Sequence, residues 1–286
     1  MKKNKKAAVS SAALCLAAAM CIGCTPEAAP DGISSVPGGT HTLEVQFLKV
    51  GKADAILLFC GGEAVVIDTG ETGDGEKLLN ALSAAGIGRV KALILTHFDK
   101  DHIGGAAELL AGIAVERVFC PDYEERSDEM RALQTALRSA AVPVSVLTQE
   151  TSLSCGAAQM TLLPPGTGDR SDNDRSIVVL LTIGKQKMLF AGDAMETRME
   201  ELLQDSRITA GGFDLLKVPH HGALCGKSAG LIAAVQPKLA VICCSRKNPP
   251  DSGLLALLAA QKIPVLTTDS GTVTVTADGT GKLKVR

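Results

Sequence analysis

The feature that most constrains this chain is a short apolar run that ends at a cluster of potential metal ligands. Residues Ala92–Leu95 predict a buried strand, and Ala106–Leu110 predict a helix that begins just after two glycines. Four potential ligands lie between them within six positions: His97, Asp99, Asp101 and His102. Because open α/β folds place their sites at the carboxyl ends of strands, this segment predicts an α/β fold with a metal site there.

The spacing of the four residues indicates which of them can share one metal position. His97 and Asp99 are two positions apart and can point to one side of an extended loop, whereas Asp101 and His102 are adjacent and must diverge. Mixed imidazole and carboxylate ligands suit divalent ions such as zinc, manganese or iron. A polar loop whose histidines cap the next helix is the alternative, but four ligands in six positions favour a metal site.

Two further segments carry potential ligands. Asp193 follows the predicted strand Lys187–Ala191 and suits a ligand that bridges two metals, or else a helix cap. His220 and His221 follow the predicted strand Phe213–Val218. Adjacent histidines point in different directions, so one is expected to bind metal while its neighbour contacts substrate. The sequence leaves open which histidine does which.

Together these segments resemble a known family. Thr96–Gly105 resembles the signature of the metallo-β-lactamase superfamily, and its Asp99 and paired glycines resemble the extracytoplasmic hydrolase domain of the ComEC/Rec2 competence proteins. Three other matching pieces occur in the family's order: Val66–Gly70, Ala191–Ala194 and Lys217–Gly222. The resemblance implies an α/β (α+β) fold, the four-layer αββα metallo-β-lactamase sandwich, over residues 42–286. It places the site at one edge between the two sheets.

The resemblance also implies roles for individual residues. One or two divalent ions, zinc or manganese, are expected, and Asp101, His102 and one of the paired histidines would hold the better-formed position. His97 and Asp99 would hold the other. The expected metal ligands are His97, Asp99, Asp101, His102, Asp193, His220 and His221, and the expected catalytic residues are Asp101, Asp193 and His221. The counterpart of Asp68 is not a ligand but orients the ligand loop by hydrogen bonds.

The chain departs from the general family pattern in two places. Many members carry a third histidine ligand where this chain has Asn173–Ser176, and ComEC-like domains often carry another where it has Asn248–Asp251. Asn173 or Ser176 is expected to position water or a phosphate oxygen, although turn and cap chemistry explains them equally well. Candidate contacts to an anionic phosphate, or else plain surface charges, are Lys217, Arg175, Lys52 and Arg246.

The expected function is metal-assisted hydrolysis of a phosphodiester, in a nucleic acid or the cell envelope, by attack of a metal-bound hydroxide. The ComEC-like departures resemble phosphodiester-acting members more than β-lactam-acting ones. An alternative is a metal-stabilised surface binding module with little or no turnover, and a β-lactamase is a third possibility. A formal charge of −2, no tryptophan and one tyrosine argue against a dedicated sequence-specific nucleic-acid reader. The sequence does not indicate an oligomeric state.

The N-terminus predicts export. Four lysines in Met1–Lys6 precede the apolar run Ala7–Ile22, and this pattern is typical of a secretory signal. Ile22–Cys24 resembles a bacterial lipobox, so residues 1–24 are expected to be a lipoprotein signal with Cys24 lipidated; simple cleavage and an uncleaved anchor are the alternatives. Residues 25–41 predict a flexible tether. The protein is expected on the outer face of the cytoplasmic membrane, or secreted.

Overall fold

The structure is a computed structural model that describes residues 41–168 and 170–286. The predicted signal, its Cys24 and almost all of the predicted tether lie outside the described residues. Among the residues that are described, no helix is long and apolar enough to cross a bilayer.

Strands and helices alternate along the described chain. The strands are β1 Leu43–Phe47, β2 Ala55–Cys60, β3 Glu63–Thr69, β4 Arg89–Val90, β5 Ala92–Ile94, β6 Ala114–Val115, β7 Val118–Pro121, β8 Val144–Leu147, β9 Thr151–Cys155, β10 Ala158–Leu163, β11 Val178–Ile183, β12 Gln186–Phe190, β13 Leu215–Lys217, β14 Ala240–Ile242, β15 Val265–Thr267, β16 Val273–Ala277 and β17 Leu283–Val285. The helices are α1 Gly75–Ala84, α2 Lys100–Ile103, α3 Ala106–Gly112, α4 Asp128–Ala140, α5 Glu196–Leu202, α6 Ser206–Thr209, α7 Ser228–Val235 and α8 Ser252–Ala260. Asn173–Arg175 forms a short 3₁₀ turn, and Pro219–Gly222 forms a tight turn whose two histidines are not helical.

The strands form two large sheets of mixed direction. The first sheet has the order β17-β16-β1-β2-β3-β5-β7-β8, and the second has the order β15-β14-β13-β12-β11-β10-β9; β4 and β6 form a small separate ribbon. In each sheet one half is antiparallel, as in β1 with β2, and the other half is parallel, as in β3 with β5 and β12 with β13. Each sheet therefore has parallel strands whose carboxyl ends lie at one edge.

Three apolar cores show that the chain has four layers. One core lies between the sheets, where the rings of Phe47 and Phe190 stack with centroids 6.1 Å apart. A second packs the first sheet against α1, α3 and α4, and a third packs the second sheet against α5, α7 and α8. In β2, Leu58 faces the inter-sheet core and Leu57 faces the helices, so this strand is apolar on both sides. The predicted four-layer αββα sandwich is confirmed.

The cysteines follow the same two-sided pattern. Cys243 faces the inter-sheet core while Cys244 faces the outer helices, since successive side chains of an extended segment point to opposite faces. The described cysteines are all free thiols: Cys60, Cys120, Cys155, Cys225, Cys243 and Cys244. Burial raises the pKa of the Cys120 thiol to about 11, which makes it a packing residue rather than a nucleophile at neutral pH.

Candidate active site

The ligand loop leaves β5 and turns directly into α2. The backbone N–H groups of His102 and Ile103 donate to the carbonyl of Asp99 at 2.9 and 3.1 Å, which closes the first turn of the helix. A Cβ on Gly104 would lie 2.4 Å from Thr72 N, and one on Gly105 would lie 2.4 Å from Thr69 O. The paired glycines are therefore needed because the loop packs directly against the backbone after β3.

A buried carboxylate at the end of β3 holds this loop. Asp68 Oδ1 accepts from the Thr96 backbone N–H at 2.7 Å, and Asp68 Oδ2 accepts from the Thr96 hydroxyl at 2.7 Å. His102 Nδ1 also lies 2.7 Å from Asp68 Oδ2, so its proton must be on Nδ1 because a carboxylate only accepts. His97 Nδ1 lies 3.1 Å from the Thr96 oxygen, whose own proton goes to Asp68. Asp68 thus directs the Nε2 atoms of His97 and His102 away from β3.

The second sheet contributes Asp193 from a turn that only glycine permits. Gly192 has φ +53°, and a Cβ there would lie 2.9 Å from Ser176 Cβ. The Asp193 backbone N–H donates to Ser176 Oγ at 3.0 Å, and both residues are buried. This hydrogen bond places the Asp193 carboxylate opposite the ligand loop.

The paired histidines have an unusual backbone. His220 and His221 both lie in the left-handed region, with φ values of 47° and 52°. Non-glycine residues rarely adopt this conformation, and consecutive examples mark functional sites. His221 points into the site, and its Nδ1 donates to the Cys243 carbonyl at 3.0 Å. His220 instead points towards Met195, with 2.8 Å between Nδ1 and the sulfur. The expectation that His220 is a metal ligand is therefore wrong: the structure brings only His221 into the cluster.

These side chains converge on the Asp193 carboxylate. Its Oδ2 lies 3.3 Å from His102 Nε2 and 3.2 Å from His221 Nε2, and Asp101 Oδ2 lies 3.3 Å from His221 Nε2. The rings of His97 and His102 are 4.0 Å apart. Asp99 lies at the edge of the cluster, with its Oδ2 3.6 Å from His97 Nε2 and its side chain 41% exposed.

The cluster fits a divalent metal. The Nε2 atoms of His97, His102 and His221 are buried and have no hydrogen-bond partner within the described chain. Three overlapping groups have ligand atoms within 4.8 Å of one another, and two of them lie in the cluster: His97, His102 and Asp193, and Asp101, His102 and His221. The third consists of His102 with Asp68 and Asp54, which already pair with His102 and Lys217. Buried polar atoms without partners are unfavourable, and imidazole with carboxylate is a common donor set for zinc and related ions. These residues would hold one or two ions.

A buried ion pair lies beneath the cluster. The Lys217 side chain is fully buried and is paired with Asp54, and its ammonium donates to the Gly192 carbonyl at 2.8 Å. It also lies 3.4 Å from Asp193 Oδ1. The expectation that Lys217 contacts a substrate phosphate is wrong because the side chain has no exposed surface. It supports the Gly192–Asp193 turn instead.

Asp54 is the site residue that sequence reasoning missed. It is buried, its backbone N–H donates to the Asp101 carbonyl at 3.1 Å, and its Oδ1 lies 3.6 Å from His221 Nδ1. It therefore connects the loop before β2 to both halves of the cluster. The available signal was its place in the sequence, at the end of the polar turn before the apolar strand that begins at Ala55.

The remaining predicted residues surround the cluster. Ser176 anchors Asp193, as described, so its hydroxyl serves a turn rather than a water or phosphate. Asn173 lies in the 3₁₀ turn before it, with a buried Oδ1 that has no partner among the described residues. Arg175 lies over the ring of Tyr123, 4.9 Å from its centroid, and Arg246 is exposed.

The metal-free cluster is strongly polarised. Although burial opposes ionisation of both carboxyls, the surrounding histidines hold the pKa of Asp193 well below its usual range and lower that of Asp101 to about 2. Burial likewise opposes protonation of the histidines, yet Asp193 and Asp68 raise the pKa of His102 well above its usual value. Asp193 and Asp101 raise the pKa of His221 to about 9. A bound divalent ion would compete with these protons for the imidazoles.

The stability of the metal-free protein is expected to fall as pH rises from about 6.5 to about 9. Below pH 6.5 His221 is protonated in both folded and unfolded chains and its ion pairs stabilise the fold; above pH 9 that contribution, on the order of 3 kcal/mol, is lost. Stabilisation by zinc should increase over the same window, because the ion replaces those protons. Urea unfolding with chelator and with zinc at pH 6.5, 7.5 and 9 tests this, and a flat metal-free profile would contradict it.

Comparison with known proteins identifies the relatives of this chain. The family model described as "Metallo-beta-lactamase superfamily" matches residues 48–246. The chain is 32% identical to Recombination protein 2 of Haemophilus influenzae over 213 residues, which are 73% of this chain and 25% of that protein. It is also 32% identical to ComE operon protein 3 of Bacillus subtilis over 256 residues, 80% of this chain and 32% of that protein.

The chain thus spans a quarter to a third of the length of these curated relatives, which confirm the predicted resemblance to competence proteins. Among solved structures, the metallo-beta-lactamase fold protein YhfI from Bacillus subtilis matches with a TM-score of 0.53 and 14% identity, over 80% of this chain and 98% of that one. At this identity, the match concerns the fold alone.

Proposed function

The chain belongs to the metallo-beta-lactamase superfamily, and we propose that it is a metal-dependent hydrolase that acts on phosphodiesters. The observation that carries this proposal is the convergence of three buried Nε2 atoms, those of His97, His102 and His221, around the Asp193 carboxylate, without a hydrogen-bond partner among the described residues. A cluster of this composition in the described chain suits hydrolysis by a bound divalent ion. The ComEC-like pattern of Asp99 in the ligand loop supports a phosphodiester rather than a β-lactam.

Five side chains of the cluster are expected to serve as metal ligands. His97, His102, His221, Asp101 and Asp193 would hold the ion or ions. A bound divalent ion supplies Lewis acidity that polarises a phosphoryl oxygen and acidifies water. Asp193 belongs to the group with His97 and His102, and its Oδ2 also lies 3.2 Å from His221 Nε2, so its carboxylate would join His221 to that group.

The residues behind the ligands keep this arrangement rigid. Asp68 and the Cys243 carbonyl hold Nδ1 of His102 and His221, so that each ring presents only Nε2. Lys217 and Ser176 hold the Asp193 turn from below, through Gly192 O and Asp193 N. The ligands are thus pre-organised before an ion arrives, which favours hydrolysis over loose surface binding of metal.

The proposal is tested with the full-length chain loaded with manganese or zinc. Turnover of bis(p-nitrophenyl) phosphate that is abolished by chelator and restored by metal is the expected result, with at least one tightly bound ion per chain. Nitrocefin turnover in place of phosphodiester turnover would assign the site to β-lactams instead.

A second candidate function is a metal-stabilised surface binding module with little turnover. It is favoured by the incomplete His97 end of the cluster, where Asp99 is partly exposed and the Asn173–Ser176 segment contributes no imidazole. Less than one tightly bound ion per chain, together with no turnover under added manganese or zinc, would support this function over hydrolysis.

His221→Ala is expected to reduce phosphodiester turnover by more than about 100-fold, because loss of a partner behind a ligand already costs 10–100-fold. His220→Ala is the matched control: the same residue type is removed one position earlier, where the side chain contacts Met195 rather than the cluster. It should retain turnover within about tenfold of wild type on this scale. Steady-state kinetics and metal content of both variants test the assignment, and equal losses would contradict it.

We also propose that the protein is exported and anchored as a lipoprotein through Cys24, which lies outside the described residues. The polypeptide would then act on phosphodiesters outside the cytoplasmic membrane, held there by acyl chains. Labelling with a fatty-acid analogue should modify the wild type and not Cys24→Ser, and the variant should leave the membrane fraction. Equal labelling of both proteins would refute lipidation at this residue.

A further inference from the structure

A cleft of about 390 Å³ opens beside the His221 end of the metal-ligand cluster. Its lining includes His221 itself, together with Lys52, Lys247, Asn248 and Asp251. We propose that this cleft, hereafter the basic cleft, binds a second anionic group of the substrate, namely the phosphate next to the one that is hydrolysed. This inference rests on the proposed phosphodiesterase function and makes the substrate class a chain of linked phosphodiesters.

The first argument is that the two lysines of the cleft have no carboxylate partner in the described chain. Five lysines account for the lysine–carboxylate ion pairs of the described chain: Lys77, Lys91, Lys217, Lys227 and Lys238. Within those same described residues, neither Lys52 nor Lys247 forms an ion pair, and both are exposed. Two unpaired ammonium groups in one cleft repel each other and favour an anion between them.

Asp251 is the only carboxylate among the described residues that line the basic cleft, and its side chain is hydrogen-bonded within its own helix turn. Asp251 caps the N-terminus of α8, where its Oδ1 accepts from Gly253 N at 2.7 Å. Its backbone N–H donates to Gly222 O at 3.0 Å, which fixes the wall of the cleft against the histidine turn. With two lysines against this one carboxylate, the cleft keeps a net positive charge.

The second argument is that both lysines lie on segments tied to the metal ligands. Lys52 is two residues before Asp54, whose N–H donates to Asp101 O at 3.1 Å. Lys247 lies in a turn closed by hydrogen bonds between Ser245 and Asn248, four residues after the carbonyl that holds His221 Nδ1. The position of each lysine relative to the reacting centre is thus set by backbone hydrogen bonds rather than by a free loop.

The third argument is that charge is distributed unequally between the two ends of the site. The ligand rings run from His97 through His102 to His221, with centroid separations of 4.0 and 5.5 Å. At the far end from the basic cleft, the partly exposed Asp99 carboxylate lies 3.6 Å from His97. A substrate with negative charge on one side of the scissile phosphate therefore binds with that side over Lys52 and Lys247, which sets the direction of the chain.

The inference is tested with thymidylyl-thymidine in three forms: with free ends, with a 5′-phosphate and with a 3′-phosphate. In the full-length wild-type chain, one phosphorylated form should have a KM about tenfold lower than the free-ended form, as expected for charge-assisted contacts to one phosphate. Lys52→Ala combined with Lys247→Ala should abolish that preference with kcat unchanged. The matched control is Lys282→Ala with Lys284→Ala, which removes the same charge from the β17 edge and should keep the preference.

Bis(p-nitrophenyl) phosphate, which has no second anionic group, separates failure of this inference from failure of the proposed function. Its turnover should be the same in wild type and in the double lysine variant. Equal KM values for the three dinucleotides, or a preference that survives in the variant, would overturn the inference while turnover of this substrate upholds the hydrolase. Loss of turnover on every phosphodiester would overturn both.

The same comparison with glycerol phosphate dimers, bearing or lacking a terminal phosphate, distinguishes two sources of the shared chemistry. A lysine-dependent preference confined to the dinucleotides identifies a nucleic acid, and one confined to the glycerol phosphates identifies a cell-envelope polymer. Either pattern supports the basic cleft as a second phosphate site. Absence of a lysine-dependent preference in both sets of substrates overturns the inference.

Discussion

Asp193→Asn is expected to lower kcat/KM for bis(p-nitrophenyl) phosphate by at least about 1000-fold, more than the 10–100-fold typical of residues behind a ligand. The substitution keeps the shape of the side chain and removes its charge. Among the carboxylates of the described residues, only Asp193 has an oxygen, Oδ2, within 3.3 Å of both His102 Nε2 and His221 Nε2. Asparagine at this position could also point its N–H group at imidazole nitrogens that must be free to bind a metal ion.

The Asp193→Asn variant should lose bound metal and keep its fold. The bound metal should fall below one ion per chain, whereas circular dichroism should show an unchanged fold because the backbone bond from Asp193 N to Ser176 Oγ is retained. Glu76→Gln, on the exposed first turn of α1, makes the same chemical change away from the site and should retain full activity. An Asp193→Asn enzyme with wild-type turnover would exclude Asp193 as a shared ligand.

Much of the fold was predictable because its strands are short apolar runs in the sequence. β5 and β12 end at polar or glycine-rich turns, and their bounds agree with the predicted strands Ala92–Leu95 and Lys187–Ala191 within one residue. The elements that were not predicted have weak patterns. β9 consists largely of serine and threonine, and α7 contains a glycine and little charge, so neither shows a clear period.

The ligand loop was predictable because its residues are adjacent in sequence and cluster by type. The choice between His220 and His221 was not, because it depends on two consecutive positive φ values that residue identity does not reveal. The burial of Lys217 was missed for a related reason. A lysine at the end of a strand is usually exposed, and only its buried partner Asp54, more than 150 residues earlier in the sequence, allows it to be buried.

That ion pair gives the largest expected stability effect outside the apolar cores. Asp54→Ala is expected to lower the free energy of unfolding by about 3–5 kcal/mol, because it leaves the buried ammonium of Lys217 without its main counter-charge. The remaining acceptors, Gly192 O at 2.8 Å and Asp193 Oδ1 at 3.4 Å, belong to the metal-ligand turn. The unpaired lysine should therefore draw Asp193 away from the histidines and weaken metal binding as well.

The double variant Asp54→Ala with Lys217→Met distinguishes an unpaired charge from simple loss of packing. Methionine fills much of the volume of the lysine stem without its charge, so the second substitution should recover most of the stability lost in the first. Urea unfolding of the metal-free single and double variants measures both changes. If the double variant were as unstable as Asp54→Ala alone, the loss would come from the cavity left by the Asp54 side chain, and the ion pair would not be what supports the site. If stability returns while metal affinity stays low, the charge of Lys217 itself is required beneath Asp193, which is the arrangement that the geometry indicates.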